Sequence, residues 1–331
     1  MTVSLRRAAL ADKTSIFRFI ERAWPSRWMY KAPARWEWAF EHNPFLAGGA
    51  PPVWIAVDDD TGEVVGQSAA WPERLQVGDA VHSASWGADF FVLPAYRHLG
   101  IGPRIQKMKV EAHDLFMSLS MAQDSRRINE WLGMRPFPPV YLYRCLEIPS
   151  LPAVPAGWSL EVVDCFPASV DNLWRDLAPR SGLAIRRDAA FLNWKFRDQP
   201  LADHDCYLLY RRGTLCGYLV LRVTRPPESP MVVLVDMLVD DTDAAALDAA
   251  LRFTFDCARA RAITEVRGAA SSPRYRAAYE RNGLAPVAQT TPMIGCRPGT
   301  SAASAIEGAR HWFLSKGDHD WDQYPLADRI P

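Results

Sequence analysis

The 331-residue chain has little of what marks several common protein classes. Its six cysteines, at positions 145, 165, 206, 216, 257 and 296, form no C-x-x-C pair, which argues against a zinc cage or a disulfide framework and predicts free, mostly buried thiols. Net charge is absent: 38 basic residues balance 38 acidic ones, so no basic field speaks for nucleic acid or an anionic membrane surface. No window approaches the roughly 18 apolar residues of a membrane span, and the N-terminal stretch lacks the apolar core and cleavage site of a secretion signal. A cytoplasmic protein is expected. No glycine loop is followed by G-K-[ST], and G-x-G-x-x-G does not occur, which sets aside a P-loop and a dinucleotide fingerprint. What remains is a globular chain, 49% apolar and 23% charged, of a length that predicts two domains.

The most informative stretch runs from Asp89 to Ile105, DFFVLPAYRHLGIGPRI. Phe90, Phe91, Val92 and Leu93 read as a buried strand ended by Pro94, which lacks a ladder donor. Arg97, Gly100 and Gly102 then form R-x-x-G-x-G, with Pro103 suited to a first helical residue. The helix is expected to carry apolar positions at Ile105, Met108, Leu115 and Leu119. Backbone N–H groups converging from such a turn at a helix N-terminus bind phosphate.

A second feature is an internal repeat. Trp38, Phe40 and Pro44 match Trp194, Phe196 and Pro200 at an offset of 156. A hairpin with Thr61-Gly62 in its turn is echoed by one with Arg212-Gly213, Asp89 by Asp236 at an offset of 147, and Gly133 by Gly283 at 150. The shrinking offsets are what unequal loops produce. The expected segments are 1–149, 150–297 and a tail 298–331, with the Pro-containing stretch 150–157 as linker.

Through Asp89, Val92, Pro94, Tyr96, Arg97, Gly100 and Gly102 the chain resembles the GNAT (Gcn5-related N-acyltransferase) superfamily, and with the repeat it resembles a tandem form of it. The resemblance implies an α/β fold of two units, each a mixed, mostly antiparallel sheet flanked by helices. It implies that Arg97, His98, Leu99, Gly100, Ile101, Gly102 and Pro103 hold the pyrophosphate of coenzyme A, and that a bulge frees a backbone N–H at Phe91 or Val92 for the thioester carbonyl. Acetyl-CoA is the expected donor, no metal is required, and a small-molecule amine is the expected acceptor, with no nucleic acid or membrane partner. Asp89 falls where many relatives carry the base, a role that requires an apolar surround to raise its pKa. The usual tyrosine acid is replaced by Asn129, and Tyr141 and Tyr143 are the candidate substitutes. A non-catalytic acyl-CoA-binding protein, and a transferase using an aminoacyl or long-chain donor, are the alternatives.

The second unit has DDTDAAALDAAL where the first has its glycine turn, so like charges oppose a pyrophosphate there and a scaffold or substrate-wall role is expected. Trp24, Trp28, Tyr30, Trp36 and Trp38, with Arg27, Lys31 and Arg35, invite either an aromatic acceptor site or core packing. Asp318, His319, Asp320 and Asp322 suggest a metal cluster, but they lack the order of a calcium loop, and a docked turn anchored by Trp312, Phe313 and Trp321 is the favoured reading.

Overall fold

The computed structural model describes residues 2–119, 121–178, 182–224, 230–309 and 311–322. Two compact units emerge. The first comprises Met1–Leu75, Val81–Phe137 and Pro292–Gly308; the second comprises Gln76–Ala80, Pro138–Thr291 and the segment from Ala309.

The chain enters with β1 (Val3–Arg7), α1 (Lys13–Ala23), α2 (Ala34–Phe40), β2 (Val53–Asp58), β3 (Val64–Val77) and β4 (Ala80–Val92). It continues with α3 (Ile101–Glu111), β5 (Leu115–Ser118), α4 (Gln123–Trp131) and β6 (Arg135–Pro136). Next come β7 (Val140–Cys145), β8 (Trp158–Val162), α5 (Ser169–Leu177), β9 (Leu183–Ile185), α6 (Ala189–Phe196), β10 (Asp205–Arg211), β11 (Thr214–Thr224) and β12 (Met231–Val239). The remainder is α7 (Ala244–Arg259), β13 (Val266–Ala270), α8 (Pro273–Arg281), β14 (Ala285–Thr290), β15 (Met293–Cys296), α9 (Ser301–Gly308) and β16 (Trp312–Phe313).

The first sheet has the order β1-β2-β3-β4-β5-β15-β6 and the second β14-β7-β13-β12-β11-β10-β8. Pairs β4–β5 and β12–β13 are parallel, each joined through a helix, as parallel neighbours require. Pairs β1–β2, β2–β3, β10–β11 and β11–β12 are antiparallel. The expected α/β architecture of two sheets flanked by helices is therefore present.

The order of strands also reveals an exchange. β7 follows β6 of the first sheet in sequence, yet it lies between β13 and β14 in the second. Conversely β15 lies between β5 and β6 in the first sheet. The compact units thus interleave along the chain, whereas the division expected from the repeat was contiguous. Val140, Leu142, Tyr143 and Cys145 are buried and Tyr141 and Arg144 half-buried, which fits a strand with neighbours on both edges, but which edges is not encoded locally.

Repeat landmarks occupy equivalent places in the two units. Both α2 and α6 end in the matched phenylalanines, with Trp38 and Trp194 buried. Gly62 and the pair Arg212-Gly213 turn their hairpins at positive φ, and Gly133 and Gly283 close α4 and α8 with φ of 82° and 93°. The stretch 150–157 carries no helix or strand.

Two local expectations change. The helix after the glycine turn begins at Ile101, with Pro103 third, where its missing N–H costs nothing because the first turn has no intrahelical acceptors. It ends at Glu111, so Leu115 belongs to the buried strand β5 and Leu119 follows that strand. Of the six free thiols only Cys145 and Cys206 are buried, Cys165 being exposed and the others half-buried.

Candidate functional site

In the first unit β4 pairs with β5 only at Ser85↔Phe116 and Trp86↔Met117, and β4 then continues alone on that side to Val92. β5 itself ends one residue beyond this pairing, at Ser118. Asp89 lies in this free stretch with φ of 46°, a left-handed conformation that kinks a strand as a bulge does. Its side chain is 1% exposed, yet the residue as a whole is half-buried, so the backbone of the kink is the accessible part. Phe90 and Phe91 beside it are also half-buried, and Val92 is buried.

The glycine turn follows. Pro94–Leu99 form a 3-10 turn, and Gly100, at φ 65° and ψ 25°, caps α3 without any side-chain acceptor. The first-turn N–H groups of Ile101 and Gly102 have no acceptor inside the helix. A Cβ added at Gly100 would meet nothing within 4 Å, and one at Gly102 would lie 3.5 Å from Phe90 Cζ. Open space thus lies over the helix N-terminus, where the dipole favours an anion.

Two side chains fix the turn. Arg97 Nε donates to Val92 O at 3.0 Å, and its guanidinium lies 5.2 Å from the centre of the Phe91 ring. Tyr96 Oη donates to Asp58 Oδ2 at 2.6 Å, which holds the Asp58 carboxyl below its usual range and raises the phenol. His98 is exposed and Leu99 half-buried. The residues expected to cradle pyrophosphate, from Arg97 to Pro103, therefore run from the turn into the first residues of α3, joined to the accessible end of β4.

Asp89 does not fit the expected role of base. Lys31 Nζ lies 2.5 Å from Oδ1 and Arg35 Nη1 2.7 Å from Oδ2. Burial alone would raise the carboxyl, but the two cations overcome it and hold it down at about 2. A carboxylate so paired is a structural tie between α2 and β4. The apolar surround anticipated from sequence is there; the neighbouring charges reverse its effect. The second unit repeats the tie: Arg187, at the Trp38/Trp194 offset from Lys31, lies 3.0 Å from Asp236 Oδ2. That alignment was the signal through which sequence could have found Lys31.

The aromatic segment divides. Trp36 and Trp38 are core, with Trp38 edge-on to Trp71 at 5.4 Å. Trp24, Trp28 and Tyr30 are half-buried, and Trp24 joins the site by packing on Phe91 at 5.3 Å under the Lys31 ammonium. Arg27 and Glu21 are exposed, and Glu37 pairs with Lys13 at 2.8 Å.

Asn129 is buried in a polar chain: Ser68 Oγ donates to Gln106 Oε1, Gln106 Nε2 to Asn129 Oδ1, and Asn129 Nδ2 to Met121 Sδ, at 2.9, 2.8 and 3.3 Å. An amide so placed positions helices α3 and α4 and supplies no acid. Lys109 on α3 was not anticipated from sequence. Burial drives its pKa down to about 7, against the pull of Asp89, and its ammonium sits 4.7 Å from the Phe116 ring centre.

Tyr141 and Tyr143 lie on β7, in the second sheet, and so belong to the unit that lacks the glycine turn. Tyr143 donates to Glu280 Oε1 at 2.8 Å, accepts from Arg276 Nε, and is pushed up to about 12 by burial. Arg276 stacks 3.5 Å from the Tyr141 ring centre. Both therefore lie outside the compact unit that carries the glycine turn. Tyr279 is buried against Tyr143 at 5.1 Å.

The corresponding fork of the second unit is filled by its own chain. β12 pairs with β13 only from Val232 to Leu234. Just beyond, Gly317 N–H donates to Val235 O at 2.7 Å and Ser271 N–H to Leu314 O at 3.2 Å. Arg187 also grips Asp318 at 2.6 Å, and Lys195 and His204 face Asp322 at 3.4 and 3.2 Å. Trp312, Phe313 and Trp321 are buried, so residues 312–322 form a docked segment. Among the described residues no group of three or more His, Cys, Asp or Glu could hold a metal ion. The Cys206 thiol is pushed up to about 11 by burial, which leaves it unreactive. No helix among the described residues is long and apolar enough to cross a membrane.

No protein-family model matches the chain, and no curated protein matches it. Solved structures do. A GCN5-related N-acetyltransferase from Anabaena variabilis is 14% identical with a TM-score of 0.67, over 88% of this chain and 72% of that one. One from Kribbella flavida is 15% identical with a TM-score of 0.64, over 93% and 74%. A tandem GNAT protein from the clavulanic acid biosynthesis pathway is 14% identical with a TM-score of 0.58, over 90% of this chain and all of that one. The chain has the tandem GNAT fold.

Proposed function

We propose that the protein is a coenzyme A-dependent N-acyltransferase, with the donor held by the first unit, an acetyl group as the acyl group, and an amine of a small molecule as acceptor. The observation that carries this reading is the open, side-chain-free N-terminus of α3 at Gly100, set at the end of a strand whose kinked backbone is accessible. The residues fit the group: an added Cβ at Gly100 meets no atom, Arg97 is fastened beside the space, and the helix supplies N–H donors.

Acyl-coenzyme A supplies a thioester activated toward amines. The chain's part is positional and electrostatic. N–H groups of the turn and Arg97 would hold phosphate, and a backbone N–H of β4 near Phe91 would polarise the carbonyl. The Lys31–Asp89–Arg35 tie keeps the kink in place. Since neither Asp89 nor Asn129 supplies a titrating group, protons leave the amine and reach the thiolate through solvent.

The same two residues favour a second reading, a protein that binds acyl-CoA without turning it over. Calorimetric titration with acetyl-CoA and coenzyme A tests the shared step. One site per chain is expected, lost in Gly100→Glu, whose carboxylate would enter the phosphate space; a folded Gly100→Glu protein with unchanged affinity refutes the assignment. Thiol release from acetyl-CoA in the presence of an amine panel then separates enzyme from binder.

A further inference from the structure

The second unit contains a cavity of about 260 Å³ between the end of β12, the turn after it and the start of α8. Its walls are Leu177, Leu238, Tyr275, Trp312 and Phe313, all buried. At its edge stand two opposite charges: Arg274 Nη1 lies 2.9 Å from Asp241 Oδ1. Asp241 is largely enclosed, with its side chain 18% exposed, whereas Arg274 is 57% exposed. Ser272, which caps α8, makes no side-chain capping bond, and the first turn of α8 carries the positive end of a helix dipole beside Arg274.

We propose that this cavity binds a free α-amino acid with an apolar or aromatic side chain. The ammonium would replace Arg274 on Asp241, and the carboxylate would take Arg274, the Ser272 hydroxyl and the α8 N-terminus, so that each charge exchanges one partner for another. A lone amine would leave Arg274 unmatched, and a lone carboxylate would leave Asp241 unmatched and enclosed. Size agrees: the space exceeds the roughly 150 Å³ that admits a benzene ring and falls below the roughly 300–1,000 Å³ of drug-sized sites. A phosphorylated cofactor is disfavoured by Asp240, Asp241 and Asp243 on the turn. The inference does not depend on the reading of the first unit.

The test is calorimetric titration of the full chain, without coenzyme A, using L-phenylalanine and L-leucine up to about 10 mM, tenfold above a millimolar dissociation constant. Phenethylamine and 3-phenylpropanoate serve as comparisons lacking the carboxylate and the ammonium. Saturable binding of an amino acid is expected, weakened at least about tenfold in both comparisons and in Arg274→Ala, a loss of one charged contact. Leu238→Trp should fill the cavity and abolish binding. If that variant does not fold, Arg274→Ala and Asp241→Asn still decide. No saturable amino-acid binding, equal binding of either comparison, or unchanged affinity in a folded variant overturns the proposal.

Discussion

Gly100 and Asp243 cap corresponding helices in opposite ways. Asp243 Oδ1 accepts from Ala245 and Ala246 N–H at 3.0 and 3.1 Å, so α7 satisfies its own N-terminus. Gly100 brings no acceptor to α3. The difference of one side chain leaves one helix end available to an anion and closes the other. Replacing Asp243 with Ala should cost about 1 kcal/mol of stability. It should not create a coenzyme A site, because Asp240 and Asp241 remain. Denaturant midpoints and calorimetry check both halves; a second coenzyme A site in this variant would contradict the account.

The Lys31–Asp89–Arg35 tie predicts a stability phenotype for Asp89→Asn. Removing the carboxylate takes a shared, enclosed partner from two cations, a change of about 3–5 kcal/mol. The Asp89 carboxyl is depressed from 3.8 to about 2, so its contribution is present above pH 4 and is lost as pH falls through about 2. Thermal unfolding and acetyl-CoA affinity should be measured together. A variant with normal stability and turnover reduced by roughly a hundredfold would return Asp89 to the chemistry.

Lys109 gives a pH signature of opposite kind. Its folded pKa, about 7, lies below the 10.5 of an exposed lysine, so between these values the unfolded chain binds more protons and stability rises with pH. Denaturant midpoints of the wild type should climb between pH 7 and pH 10, and Lys109→Met should be more stable at pH 7 with a flatter profile. Parallel profiles for the two proteins would show that the lysine is not desolvated.

Arg187 serves two buried carboxylates, Asp236 and Asp318. Arg187→Met should therefore destabilise the second unit by about 3–5 kcal/mol and loosen the docked segment. Hydrogen exchange at the Gly317 amide, bonded to Val235 O, reads this directly. Full protection in the variant would mean that the aromatic anchors hold the segment alone.

The turn of the candidate site was legible because it is local. The turn from Arg97 to Pro103 is built by consecutive residues whose backbone preferences specify it, and the loss of that turn in the second unit is equally visible as Asp240, Asp241 and Asp243. The role of Asp89 was not legible: apolar neighbours in sequence argue for a raised pKa, and only packing brings Lys31 and Arg35, more than fifty residues away, onto its oxygens. Asn129 could be seen to replace a tyrosine; its bond to Gln106 could not.

By itself the sequence determined the glycine turn, the hairpins and the repeated order of landmarks, since each follows from turn chemistry or alignment within the chain. Tertiary structure alone decided which sheet receives β7 and β15, and with them the place of Tyr141 and Tyr143. It also decided that residues 312–322 fill the fork beside β12. Strand partnership and ion pairing depend on what else competes for an edge or a charge, and that competition is settled only when the whole chain has packed.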